Sequence, residues 1–338
     1  MKAAQIKEVG KMEIIDVEMP KLIKDHVLLK VNAISICGTD VHELEGRIPV
    51  QLPRIPGHDF AGTVMEVGSG VVKSKVGDRV VVKPSFPCYM CDACKTGFLE
   101  GCQNAKLIGI HSDGCFREYM VVPEANLISL NKEVSFDAAC VLEPFTVGLN
   151  AFLKLKMNLG QTVAILGQGP IGLGLTRIAA LSGASNIYAI DVREDVLEVA
   201  RKYGATDVIN MTTQKGKELL DSLSEKGADI VIEAAGASAT VEMIPKLVKK
   251  EGKVVCVGAF WGIGGIPIWP IVMKALNIIG VGGNGGKGKY EIALNFVERG
   301  LIDPTQMVTQ RLPFLEAVEA FEIARAKANG TIKVVVSA

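Results

Sequence analysis

Cys88, Cys91, Cys94 and Cys102 are separated by two, two and seven residues, a spacing that can gather four thiolates around one ion. A closed tetrahedral Cys₄ zinc site suits it, and in a lobe carrying Pro84, Pro87, Gly97 and Gly101 such a site substitutes for an apolar core. A disulfide pair or an iron–sulfur cluster would use the same residues, although nothing else in the chain suggests electron transfer. A second set is dispersed: Cys37-Gly38-Thr39-Asp40-Val41-His42, Pro56-Gly57-His58-Asp59 and Leu142-Glu143-Pro144. One thiolate, one imidazole and one carboxylate can hold zinc with a fourth position open, as a Lewis acid requires. Taken singly, each of these residues is as readily structural, a Cys buried in a strand or a His in a turn before Asp.

A third cluster, Leu166-Gly167-Gln168-Gly169-Pro170-Ile171-Gly172, follows an apolar run and opens a helix-length segment. Gly167 permits a tight turn, Gly169 lets backbone approach a pyrophosphate, and Gly172 lets the helix pack closely, with Pro170 and Ile171 beginning that helix. Asp191 follows about twenty residues later, at the end of the next apolar run, where a carboxylate accepts hydrogen bonds from an adenosine ribose. It would repel a 2′-phosphate, so NAD is favoured over NADP. Arg193 reads as an exposed arginine at a helix start, with adenine stacking or a phosphate contact as its other uses.

These clusters need elements to hold them. Up to about residue 150 the chain is built of short β-branched runs, such as 27–31, 62–67, 78–82 and 118–122, broken by Gly, Pro and Asp. That pattern predicts a barrel-like β domain. From Gly160, apolar strands at 162–166, 186–191, 207–210, 229–233, 253–258 and 277–281 alternate with amphipathic segments, which predicts a doubly wound parallel sheet in an α/β domain. After the glycine-rich segment 282–286, helices at 289–299 and 315–328 and a strand at 332–336 exceed what that sheet needs, and they are expected to return to the first domain.

Two domains fit 338 residues at about 100–200 residues each. Apolar residues make up 49% and charged residues 22% of the chain, which excludes a disordered protein. Basic and acidic residues balance at 37 each, so there is no global field for nucleic acid or anionic lipid, and a small-molecule ligand is expected. The first eight residues carry no apolar signal core, so a cytoplasmic location is expected. The uncharged run 254–273 has membrane-spanning length, but its glycines and prolines predict a strand and a loop instead.

The order Cys-Gly-Thr-Asp-x-His, Gly-His-Asp, Cys₄ lobe, Glu-Pro and Gly-x-Gly-x-x-Gly resembles the zinc-dependent medium-chain dehydrogenase/reductase (alcohol dehydrogenase) superfamily over essentially the whole chain. It is most similar to the polyol, sugar-acid and threonine dehydrogenase branch: Cys-Gly-Thr-Asp is shared with threonine dehydrogenases, and Glu143-Pro144 with sorbitol-type enzymes. The resemblance implies a GroES-like β-barrel catalytic domain, residues 1–147 and 286–338, with its structural zinc lobe near 84–103 on Cys88, Cys91, Cys94 and Cys102. A Rossmann NAD-binding domain, 148–285, interrupts it, and the substrate occupies the cleft between the two.

The resemblance further implies a catalytic zinc on Cys37 and His58, with Asp59 and Glu143 as carboxylate ligands or exchangeable near-ligands. Asp59 stands where the family has Glu, and its shorter reach suits an outer role. The stretch 109–119 resembles a motif of sugar-acid relatives that puts His111 at the substrate pocket; a loop histidine bonded to backbone is the other reading. The implied reaction is reversible oxidation of a secondary alcohol to a ketone with hydride transfer to NAD. Thr39 would bond the reacting oxygen and His42 would relay its proton outward. Threonine or simple diol oxidation, and a noncatalytic binding protein on the same fold, are the alternatives. A homodimer or homotetramer is implied, and the segment 258–273 is a candidate edge for subunit pairing.

Overall fold

The computed structural model describes residues 1–98, 101–259, 265–283, 288–328 and 330–338. The chain divides into two compact units, Met1–Glu143 with Gly286–Ala338, and Pro144–Gly285.

In the first unit a seven-stranded sheet is centred on the strand His26–Ser35, whose apolar residues are buried almost throughout. Asp59–Val67 pairs with it antiparallel, Ser35 opposite Asp59. The C-terminal strand Lys333–Ser337 also pairs with it, Val335 opposite Ser35. The end of one strand, just before Cys37, is thereby flanked by Asp59 and by the C-terminal strand. Ile6, Leu29, Ile34, Phe60, Phe116 and Phe321 fill the core, with Phe116 and Phe321 packed edge to face at 4.9 Å. The strands Lys2–Glu8 and Lys11–Asp16 form a hairpin, which the mixed polar and apolar sequence there does not advertise.

In the second unit six parallel strands stand in the order Asp207–Asn210, Asn186–Asp191, Thr162–Leu166, Ala228–Glu233, Val248–Cys256 and Asn277–Gly280. This is the third-second-first-fourth-fifth-sixth order of a doubly wound sheet, whose ligands bind beyond the carboxyl ends of the strands where the order reverses. Thr162–Leu166 and Asn186–Asp191 run in register, Leu166 opposite Ile190, so the Gly167 turn and Asp191 emerge side by side. The helix Glu194–Lys202 buries Val196, Leu197, Val199 and Ala200, with acids in its first turn and bases in its last, matching its dipole.

The run 254–273 differs from the expected strand and loop. The strand Val248–Cys256 starts earlier, Ile268–Met273 forms a short helix, and residues 260–264 lie outside the described residues. Pro267 and Pro270 are tolerated because they fall at the N-cap and first turn, where no intrahelical N–H is lost. Residues 284–287, which include most of the glycine-rich segment, also lie outside the described residues.

Candidate active site and metal centres

Cys37 is the N-cap of the helix Gly38–Leu44. Asp40, fully buried in that helix, accepts the Cys37 N–H through Oδ2 at 2.8 Å, while its Oδ1 lies 3.2 Å from His58 Nδ1. The strand pairing carries His58 and Asp59 to the same place, and the ligand atoms of Cys37, His58 and Asp59 all lie within 4.8 Å of one another. With Nδ1 3.2 Å from the Asp40 carboxylate, Nε2 is the nitrogen left for a metal, and Asp40 is placed as an outer partner of the ring. Both Asp59 oxygens are buried without a hydrogen-bond partner. Lys333, only 4% exposed, reaches to 3.5 Å from Asp59 Oδ2 and donates to the Ile36 carbonyl at 3.2 Å.

The acids and the thiol of this cluster favour positive charge beside them. Burial works against a charged His58, yet Asp40, Asp59 and Cys37 outweigh it and raise the ring's pKa well above its ordinary value. Burial likewise opposes the Lys333 charge, but Asp59, Cys37, Glu143 and Asp40 hold the ammonium more tightly than usual. Glu143 opens the helix Glu143–Leu155, and its carboxyl is pushed up to about 7, by desolvation and then by Asp59. Buried carboxylate oxygens without hydrogen bonds, beside a thiol and an imidazole, are a donor set that zinc accepts, so these residues fit a zinc ion.

Thr39 Oγ1 lies 3.7 Å from Cys37 Sγ. His42, one turn further along the helix, has Nδ1 3.5 Å from Glu45 Oε2. His111 serves a loop: its Nδ1 accepts the Leu107 N–H at 2.9 Å.

The four lobe cysteines also gather within 4.8 Å, and every cysteine in the chain is unbridged. Sγ of Cys102 and Cys88 are 3.5 Å apart and those of Cys88 and Cys94 4.0 Å. Tetrahedral zinc with Zn–S near 2.3 Å requires about 3.8 Å, whereas a disulfide requires about 2.05 Å, so the lobe fits zinc. The Cys88 thiol is lowered to about 6 by the backbone N–H groups of Met90 and Cys91, and Cys94 is pushed up to about 12 by burial and its neighbouring thiols.

Two glycines of the Gly167–Gly172 turn stand where a side chain would clash. Gly167 has φ +90°, and a Cβ there would meet Ala235 backbone at 2.8 Å; a Cβ on Gly172 would lie 1.9 Å from the Gly167 carbonyl. Gly169, the N-cap of the helix Pro170–Leu181, has nothing within 4 Å of its Cβ position, leaving the helix N-terminus open to a phosphate. Asp191 accepts three backbone N–H bonds, from Gln168 at 2.6 Å, Val192 at 2.7 Å and Arg193 at 3.0 Å. A carboxylate has about four acceptor sites, so room remains for a ribose hydroxyl.

Asp40 and Lys333 carry no role in the sequence reading. Asp40 stands three residues after Cys37, and Lys333 is the one charge in the otherwise apolar run Lys333-Val334-Val335-Val336; those are the signals by which they could be found.

A family model for the alcohol dehydrogenase GroES-like domain matches residues 23–132, and one for zinc-binding dehydrogenases matches residues 170–299. Sorbitol dehydrogenase of Bacillus subtilis (strain 168) is 33% identical over 344 aligned residues, covering 99% of this chain and 97% of that protein. L-threonine 3-dehydrogenase of Pyrococcus furiosus is 34% identical over 327, covering 95% and 94%. Among solved structures, a protein of Sinorhizobium meliloti 1021 bound to NADP superposes with a TM-score of 0.92 at 31% identity, covering 100% of this chain and 99% of that one. The chain belongs to the zinc-binding, alcohol dehydrogenase family of oxidoreductases, with a GroES-like and a Rossmann-type domain.

Proposed function

We propose that the protein is an NAD-dependent zinc dehydrogenase that reversibly oxidises a secondary alcohol of a polyol, sugar or sugar acid to a ketone. The observation that carries the reading is the largely buried Cys37–His58–Asp59 cluster, whose Asp59 oxygens lack hydrogen bonds and whose imidazole has Asp40 3.2 Å from Nδ1, an arrangement that suits a metal. Its other support is the similarity to sorbitol dehydrogenase.

Cys37 and His58, with Asp59 and Glu143 as carboxylate ligands or exchangeable near-ligands, would hold one zinc; Cys88, Cys91, Cys94 and Cys102 would hold a second, structural one. When bound, the first supplies Lewis acidity that makes an alcohol proton easier to lose near neutral pH. The chain's own groups do the rest. Thr39 offers a hydroxyl beside Cys37 that would accept the substrate's hydroxyl proton as it gives up its own, and His42, on the same face of the helix, would take that proton and release it to solvent. Asp40 holds the His58 ring, and Lys333 offsets the Asp59 charge. The Gly167–Gly172 turn and the following helix N-terminus hold the dinucleotide, which accepts the hydride when bound. Because the Sinorhizobium structure holds NADP, the fold admits either dinucleotide, and the choice falls to Asp191, which favours NAD.

Threonine oxidation is the second reading, favoured by the similarity to L-threonine 3-dehydrogenase. The protein is also read as a small-molecule enzyme that forms a homodimer or homotetramer. No helix among the described residues is long and apolar enough to cross a membrane. Steady-state assays with sorbitol, xylitol, a sugar acid and L-threonine, each with NAD and NADP, test the reading. Highest kcat/KM on a polyol or sugar with NAD is expected; preference for threonine selects the second reading, and no turnover of any alcohol contradicts both.

A further inference from the structure

Two residues beyond Asp191, Arg193 is the N-cap of the helix Glu194–Lys202, and its backbone N–H is bonded to the Asp191 carboxylate. This places a guanidinium at the end of the second strand, where a 2′-phosphate would arrive. The guanidinium is engaged from within the chain. Its Nε donates to Asp195 Oδ1 at 3.1 Å and its Nη2 to Asp195 Oδ2, a two-point pairing of fork and carboxylate. A phosphate would want that same bidentate edge.

The next arginine is also engaged, though by a single carboxylate oxygen. Arg201, on the same helix, is bound to Glu194 Oε1, while Glu194 Oε2 accepts from Asn210. Asp195 is itself well seated, in the first helical turn, where the helix dipole favours an anion. Both side chains of the Arg193–Asp195 pair are about a third exposed, so the pair is a surface contact and not a core one.

We propose that Asp195 is a positioning residue for dinucleotide specificity: by holding Arg193 in a two-point ion pair it withholds the cation that a 2′-phosphate would need. The inference rests on the NAD-dependent reading above. NADP is then disfavoured twice, by repulsion from Asp191 and by the engagement of Arg193. Asp191 is a poor probe of the effect, because its three backbone hydrogen bonds also knit the glycine turn to the second strand. Asp195 takes no part in those bonds, so its replacement isolates the arginine.

The test is calorimetric titration of NAD and NADP into the zinc-loaded protein for the wild type, Asp195→Asn, Asp195→Glu, and Asp195→Asn combined with Arg193→Ala. Asp195→Asn is expected to lower the Kd for NADP about fivefold relative to that for NAD, in keeping with one part-exposed charge-assisted contact, and the gain should shrink with salt. Asp195→Glu should restore most of the wild-type ratio, and removing Arg193 should erase the gain. A purely structural pair would change the melting temperature and leave the ratio of the two Kd values alone. An unchanged ratio in Asp195→Asn, or a gain that survives the loss of Arg193, overturns the inference while leaving the dehydrogenase reading intact. A wild type that binds neither dinucleotide overturns both.

Discussion

The two clusters of metal-binding residues are assembled in different ways. The Cys₄ lobe draws all its thiols from one short stretch, and backbone N–H groups already support them, Cys88 N to Cys102 Sγ and Cys91 N to Cys88 Sγ. The only pairing that brackets it among the described residues is the two-residue ladder of Ser85–Phe86 with Lys106–Leu107, which closes the base of the lobe. The Cys37–His58–Asp59 cluster is collected from the ends of two paired strands and is tied to a third by Lys333. Its outer partners are charged side chains, Asp40 and Lys333, and the Asp59 oxygens lack hydrogen bonds. A self-contained site with supported donors suits holding a chain together; a site of incompletely compensated charge on a rigid sheet suits exchange and reaction.

Substitution of one ligand in each cluster should separate these roles most sharply. Cys37→Ser should reduce kcat by about 10³-fold or more, since the remaining set no longer holds the ion, with the melting temperature changed little. Cys94→Ser should lower the melting temperature by about 4–8 °C or more and release one equivalent of zinc, because the lobe loses its substitute for a core. Equal losses of activity and stability in both variants would contradict the distinction. Differential scanning calorimetry beside initial rates reads it.

The next effect concerns Asp40. Asp40→Asn keeps its shape but weakens its hold on His58, and it should cut zinc affinity at the reactive cluster by about 10–100-fold, with the lobe's zinc retained. Competition with a chromogenic chelator measures this, and unaltered affinity would show that the 3.2 Å approach of Asp40 to His58 is incidental.

How these features stood in the sequence follows from the range of the forces involved. The strands Thr162–Leu166, Asn186–Asp191 and Asp207–Asn210 have the bounds the apolar pattern predicts, because a sheet covered on both faces writes itself as continuous apolar runs. The glycine turn is legible because each glycine answers a local steric demand, seen at Gly167 and Gly172. Asp40 and Lys333 are not, because their meaning depends on strand pairing: Lys333 meets Asp59 only after the C-terminal strand docks beside His26–Ser35. The Arg193–Asp195 pair is hidden for a simpler reason, since a charged helix start reads as a solvated surface until side-chain directions are known.

A smaller effect is expected for His42, which stands beside Glu45 and outside the ligand set. If it passes the proton outward, His42→Gln should lower kcat by about tenfold, below the usual 10²–10⁴ for an acid–base group because water can substitute, and should reshape the pH–rate profile. Zinc content and melting temperature should stay as they were. An unchanged profile with a lowered melting temperature would assign His42 to the helix end alone.

The contrast between a closed and an open metal centre is tested most directly by following zinc content, activity and near-ultraviolet circular dichroism together during graded chelation. Two zinc ions per chain are expected at the start. The first should leave with the activity and little change in fold, and the second only under conditions that unfold the lobe. One zinc per chain in fully active protein, or activity that persists after the first ion has gone, would contradict it.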